Sequence, residues 1–151
     1  RLGDGRLLLA QAAPATFDLL ILDAFSSDAI PLHLVTREAI DLAFSRLRPD
    51  GVLAFHISNR YLDLGPVLGA IARDAGLEAR EHFDAVVPEA EQRAGKQPSR
   101  WLVMARSMPA LGSLGTDARW RAVPAATAAW TDDFSNILRV FVWSKTPASR
   151  P

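Results

Sequence analysis

The most informative carboxylate in the sequence, that of Asp23, lies at the end of an apolar run. Residues 17–22 are nearly all apolar, which predicts a strand buried on both faces. A carboxylate at the end of such a strand must be solvated in a cleft or hydrogen-bonded, because burial without a partner is costly. Position alone leaves two roles open for Asp23: a functional carboxylate in a cleft, or a cap for the backbone amides of the turn.

Further polar residues follow the predicted strands. Ser26 and Asp28 come shortly after Asp23 and are ordinary turn formers. Tyr61 follows the second predicted strand and is placed to line a pocket. Residues 3–5 read Gly-Asp-Gly, a tight-turn signature that can bring a carboxylate and a backbone amide against a ligand.

The sequence shows no metal site and no nucleophile triad. His56 lies within a predicted strand, where a single histidine is more often a satisfied core residue than a base. His33 and His82 have no serine or carboxylate at a recognisable motif spacing. The chain contains no cysteine, which excludes thiolate metal sites, disulfides and cysteine nucleophiles.

Charge and hydropathy narrow the class of partner. The 151 residues carry 17 Lys and Arg against 17 Asp and Glu, so the formal net charge is zero. This balance argues against nonspecific binding to nucleic acid or to anionic membranes and favours a small-molecule partner. No apolar run approaches the length of about 20 residues that spans a bilayer. We therefore expect a cytoplasmic protein.

Hydrophobic periodicity predicts an α/β fold. Apolar runs at 17–23, 52–58, 77–84 and 100–105 indicate strands, and helical patterns cover about 6–13, the stretch between Thr36 and Pro49, and 63–76. This alternation predicts a doubly wound, mainly parallel sheet. The last two strands follow each other without a helix, which indicates an antiparallel pair at a sheet edge. In such sheets, ligands bind beyond the carboxyl ends of the strands.

Length predicts a single domain over 1–151, with a core at 1–106 and an irregular extension at 107–151. Capping signals bound the two longer helices. Thr36 is the expected N-cap of the first, and Asp63 and Gly76 are the expected N-cap and C-cap of the second.

Four segments together resemble a known family. They are Gly3-Asp4-Gly5-Arg6, residues 17–24 with the stretch to Thr36, His56-Ile57-Ser58-Asn59-Arg60-Tyr61, and Trp130-Thr131-Asp132-Asp133-Phe134-Ser135-Asn136. This set resembles the spermidine synthase-like proteins, polyamine aminopropyltransferases within the S-adenosylmethionine-dependent transferases. The resemblance implies a Rossmann-like fold of the class I methyltransferase type.

The resemblance also implies roles for individual residues. Asp4 would accept a hydrogen bond from the adenine amino group, and Gly5 would offer its backbone amide. Asp23 would act on the attacking amine and, with Ala24, lie against the cofactor. The residues implied around the amine are Ser26, Asp28 and Tyr61. Ser26 stands where aminopropyltransferases usually carry a second Asp. The implied cofactor is S-adenosylmethionine or its decarboxylated form.

By the same resemblance, the chain corresponds to the C-terminal portion of the catalytic domain. The strands that bind the methionine and ribose parts of the cofactor would precede Arg1. We therefore expect the 151-residue chain to form a homo-oligomer or to be poorly active alone. Two alternatives to aminopropyl transfer remain open: methyl transfer on the same fold, and a noncatalytic domain that serves association or ligand sensing.

Overall fold

The computed structural model of the chain describes residues 2–23, 31–58, 62–125 and 128–142. The helices are α1 (Gly5–Ala10), α2 (Arg37–Arg46), α3 (Gly65–Asp74), α4 (Glu89–Arg93) and α5 (Ser113–Thr116), with 3-10 turns at Leu32–Leu34, Pro109–Leu111 and Ile137–Arg139. The strands are β1 (Phe17–Leu22), β2 (Leu47–His56), β3 (Glu78–Asp84), β4 (Ser99–Ala105) and β5 (Arg121–Ala122). The predicted α/β fold class is confirmed.

The strands form a five-stranded mixed sheet in the order β1-β2-β4-β3-β5. β1 and β2 are parallel, with Leu22 opposite Phe55. β4 runs antiparallel to both β2 and β3, so β1, β2 and β3 point the same way. The predicted antiparallel pairing of β3 and β4 is confirmed. The pair does not lie at the edge of the described sheet, because β4 is interior and β5 pairs beyond β3, and the short helix α4 lies between the two strands in the chain. The last four residues of β4, 102–105, are buried, which explains its interior position.

Apolar side chains cover the two faces of the sheet to different extents. In β2, Leu53 and Phe55 pack with α2 and α3 in the main core, while Ala54 faces a smaller cluster around Leu111. Among the described residues, β1 is covered on the α2 and α3 side only. Its Leu19 and Ile21 are exposed, so the prediction that residues 17–22 are buried on both faces is wrong.

The capping signals predict the helix ends closely. Thr36 caps α2, since its side chain accepts a hydrogen bond from the Ala39 amide at 3.3 Å. Gly76, at φ +67°, follows the C-terminus of α3. The Leu77 amide there donates to the Ala72 carbonyl at 2.8 Å, which closes the last turn. Asp63 lies one residue before the cap position, and its Oδ1 accepts from the Gly65 amide at 3.2 Å.

β2 begins at Leu47, five residues earlier than the apolar run predicts. Leu47 is buried and pairs with Phe17, and an irregularity in the register follows at residues 17–19. Pairing with β1 therefore extends β2 through residues 48–50, Arg-Pro-Asp, which no apolar pattern marks.

Residues 128–142 return to the main core. Trp130 is 2% exposed, and Val140 is also buried. The Trp130 carbonyl accepts a hydrogen bond from the amide of Arg37, the first residue of α2, at 2.8 Å. In the described part of the chain, no helix is both long and apolar enough to cross a membrane.

Candidate active site at the carboxyl ends of β1 and β2

Asp23 lies directly after β1, and its side chain is 54% exposed. Because β1 and β2 are parallel, their carboxyl ends meet at one edge of the sheet. His56, the last residue of β2, therefore lies beside Asp23. Its Nδ1 is 2.8 Å from Oδ1 of the carboxylate. Asp23 is thus both solvated and hydrogen-bonded, as a carboxylate at the end of an apolar strand requires.

The His56 ring is fixed on several sides. It stacks on the indole of Trp101, with ring centroids 4.8 Å apart and an angle of 21° between the planes. Its Nε2 lies 2.7 Å from Oγ of Ser58. Ser58 Oγ in turn accepts a hydrogen bond from the Arg100 amide at 2.8 Å. The side chain of His56 is only 22% exposed.

These contacts correct the sequence-based interpretation of His56. The ring is satisfied, as expected of a histidine in a strand, but its partners are Asp23 and Ser58. An aspartate, a histidine and a serine are therefore hydrogen-bonded in that order, although the sequence analysis found no such set. The set forms because β1 and β2 are adjacent and parallel, so that their ends at residues 22 and 56 bring Asp23 and His56 together.

Asp4 occupies the N-terminus of α1. Its Oδ1 accepts a hydrogen bond from the Leu7 amide at 2.9 Å, and its Oδ2 lies 3.3 Å from Nε2 of His33. The hydrogen bond from the Leu7 amide, and then the charge of His33, lower the pKa of Asp4 despite some desolvation. The carboxylate is thus an ionised acceptor at the surface. A Cβ placed on Gly5 would meet nothing within 4 Å, so a flat group has room beside this turn.

A second network ties α1 to residues 128–142. Arg6 binds both carboxylate oxygens of Asp132, at 2.8 and 2.6 Å, and also donates to the His33 carbonyl at 3.0 Å. Thr36 Oγ1 donates to Asp132 at 2.7 Å. Hydrogen bonds from Arg6 and then Thr36 lower the pKa of Asp132 to about 2. Asp132 therefore joins three segments of the chain.

The remaining predicted site residues are Ala24, Ser26, Asp28 and Tyr61, and they lie outside the described residues. Over the ranges that the structure does describe, no group of three or more His, Asp or Glu side chains is arranged to hold a metal ion.

The sheet order and the parallel ends of β1 and β2 can be compared with known proteins. No protein-family model and no curated protein matches the sequence. Among solved structures, a probable spermidine synthase from Corynebacterium glutamicum ATCC 13032 superposes with a TM-score of 0.56 at 16% identity, over 89% of this chain. The chain has a spermidine synthase-like fold. It spans 54% of the length of that synthase, or about half.

MNMC2 from Aquifex aeolicus is a weaker likeness, with a TM-score of 0.45, 18% identity, and coverage of 71% of this chain and 30% of that one. Two carboxylates, those of Asp23 and Asp4, have positions in this fold that suit a ligand. Asp23 lies beyond the carboxyl end of a strand, where ligands of α/β sheets bind. Asp4 lies at the turn that opens α1.

Proposed function

We propose that this chain forms the acceptor-side part of a transferase that moves an aminopropyl group to a small amine, with Asp23 as the carboxylate that binds the amine. One observation supports this most strongly. In a spermidine synthase-like fold, Asp23 presents a half-exposed carboxylate at the carboxyl end of β1. The less exposed His56 is hydrogen-bonded to one of its two oxygens.

The N-terminal turn fits the adenine of the proposed cofactor, decarboxylated S-adenosylmethionine. Asp4 is an ionised and partly exposed acceptor, which suits an exocyclic amino group. The open space beside Gly5 admits a flat ring close to the backbone. When bound, the cofactor supplies a carbon next to a positively charged sulfur, which is open to attack by an amine.

Asp23 has two tasks in this proposal. An aliphatic amine is protonated at neutral pH, since its pKa is about 10, and only the neutral form carries a lone pair that can attack. The Asp23 carboxylate accepts hydrogen bonds from the ammonium and so places the nitrogen. It then takes up one proton, and its exposure to solvent allows that proton to pass to water.

The proposal includes self-association. In the described sheet, β1 is an edge strand, and it carries the exposed side chains of Leu19 and Ile21. Edge strands with apolar side chains pair readily with another chain, and two identical edges can pair around a two-fold axis. A second copy of this chain is the proposed occupant.

Product analysis tests the proposed reaction. The complete gene product is incubated with 1,4-diaminobutane and either decarboxylated or ordinary S-adenosylmethionine. We expect methylthioadenosine and the N-aminopropyl diamine from the decarboxylated cofactor. Formation of S-adenosylhomocysteine from the ordinary cofactor would assign methyl transfer instead. Binding of nucleoside without either product would favour the noncatalytic alternative.

A further inference from the structure

We infer that His56 is a positioning residue, which aims the Asp23 carboxylate at the amine through a hydrogen bond that Ser58 helps to fix. The inference rests on the proposed function, because the amine is the ligand that Asp23 is proposed to bind. It adds a role for two residues, His56 and Ser58, that the family resemblance does not assign.

Asp23 and His56 differ in how firmly the surrounding structure holds their side chains. Asp23 is 54% exposed and follows the last residue of its strand, so packing alone does not fix its side chain. His56 is 22% exposed, ends an interior strand of the sheet, and stacks on Trp101. A hydrogen bond of 2.8 Å from the fixed ring therefore orients the more exposed carboxylate.

The hydrogen bonds that join Arg100, Ser58, His56 and Asp23 run in one direction. The Arg100 amide can only donate, so Ser58 Oγ accepts from it. A carboxylate oxygen only accepts, so Nδ1 of His56 carries a proton and donates it to Oδ1 of Asp23. In the neutral ring, Nε2 is then the acceptor, and the Ser58 hydroxyl donates to it. Each donor in this series meets one acceptor.

This arrangement leaves Asp23 suited to its proposed task. The hydrogen bond from His56 engages Oδ1, so among the described contacts Oδ2 remains to accept from the ammonium. The amine is thus held by an anion of fixed orientation, and such placement of reactants contributes strongly to rate.

The same set of residues could instead serve a serine nucleophile, but Ser58 is poorly placed for that chemistry. Its Oγ accepts the Arg100 amide and thereby continues the pairing of β2 and β4, next to the bond between the Ile57 amide and the Arg100 carbonyl at 2.8 Å. A nucleophilic oxygen would have to leave this bond to attack. The geometry favours a fixed support for His56.

The tautomer of His56 gives a direct spectroscopic test on the 151-residue chain. The chain has three histidines, which long-range nitrogen–proton correlation spectra can resolve at a pH where the rings are neutral. We expect His56 to carry its proton on Nδ1, and Asp23→Ala to weaken that preference. His82→Asn serves as the control, since His82 contacts Trp120 on another part of the sheet. A proton on Nε2 of His56 in the wild type would overturn the inference.

Kinetics of the complete gene product test the role in transfer. We expect His56→Ala to lose about 100-fold in kcat/KM for the diamine, as a misplaced reacting group does, while binding of methylthioadenosine is unchanged. Asn places an N–H near the position of Nδ1 and Gln near that of Nε2, so His56→Asn should recover most of the loss and His56→Gln should not.

Two outcomes separate this inference from the proposed function. If the wild type transfers the aminopropyl group and His56→Ala transfers it equally well, the inference is overturned and the proposed function stands. If the wild type forms no product, the proposed function fails, and with it the role assigned to the amine. The tautomer of His56 then still decides whether the ring positions Asp23.

Discussion

Asp132 connects three segments of the chain that are far apart in sequence. It binds Arg6 of α1 through both oxygens and accepts from Thr36 at the start of α2. Its backbone amide donates to Glu38 at 2.9 Å. The side chain is partly exposed, so solvent screens these interactions and their net contribution is modest.

We predict that Asp132→Asn lowers stability by about 1 kcal/mol at neutral pH, which corresponds to roughly 2–4 °C in Tm for a chain of this size. The folded-state pKa of Asp132 is lowered from 3.8 to about 2. A lowered pKa stabilises the fold above the ordinary value of the group, and this stabilisation is lost as the pH falls towards the folded-state value. The variant should therefore lose less stability than the wild type between about pH 4 and 2.

Thermal unfolding followed by circular dichroism over this pH range measures the difference. Asp133→Asn is the matched control, because Asp133 is an exposed neighbour of the same type. Acid unfolding curves that coincide for the wild type and Asp132→Asn would contradict the assigned role.

At the same scale, the sequence predicts residue types better than partners. Asp23 was identifiable because a carboxylate at the end of an apolar run needs solvent or a hydrogen bond. The link from Asp23 to His56 depends on the pairing of β1 and β2, and that pairing is not a local property of the sequence. The partners of Asp132 lie 96 and 126 residues away, a separation at which no spacing rule applies.

At the scale of elements, helix ends were predicted well and strand positions less so. Thr36 and Gly76 act through the backbone within a few residues, so their signals are local. The start of β2 at Leu47 and the insertion of β4 between β2 and β3 depend on which strands pair. Hydrophobic periodicity does not carry that information.

Trp130 is an example, because the hydrophobic pattern of the sequence is lost from 107 to 131 and yet this residue lies in the main core. We predict that Trp130→Ala destabilises the fold by about 3–5 kcal/mol, the usual cost of truncating a buried aromatic side chain. This is a large share of the roughly 5–15 kcal/mol that stabilises a typical domain.

Urea unfolding of the 151-residue chain measures this loss. Leu138→Ala is the control, because Leu138 belongs to the same segment, residues 128–142, but is 73% exposed, and its truncation should change stability by less than about 0.5 kcal/mol. Equal stability of Trp130→Ala and the wild type would show that the segment does not contribute to the core.

At the scale of the whole molecule, the exposed face and edge of β1 are the main departure from a closed α/β fold. Leu19 and Ile21 alternate with Leu20 and Leu22, which pack against the main core. In the described residues, the second face of the sheet is covered by apolar residues between 108 and 120. These pack around Ala54, Val103 and Ala105 and leave Leu19 and Ile21 exposed.

We predict that the 151-residue chain self-associates and that Ile21→Lys weakens the association, because a charge on an edge strand disfavours pairing. Sedimentation velocity at increasing protein concentration measures the effect. Phe83→Lys should leave association unchanged, since Phe83 is an exposed apolar residue on β3, away from β1. A wild-type chain that stays monomeric at all concentrations would contradict this prediction.

The central claim, that Asp23 binds and deprotonates an amine, is tested most directly by aminopropyl transfer in the complete gene product with Asp23→Asn. We predict a loss of about 10²–10⁴-fold in kcat, the usual contribution of a positioned general base, with methylthioadenosine binding unchanged. Asp18→Asn is the matched control, because Asp18 lies on the same strand, is exposed, and pairs with Arg48 at 2.8 Å. Transfer by Asp23→Asn at the rate of Asp18→Asn would contradict the account.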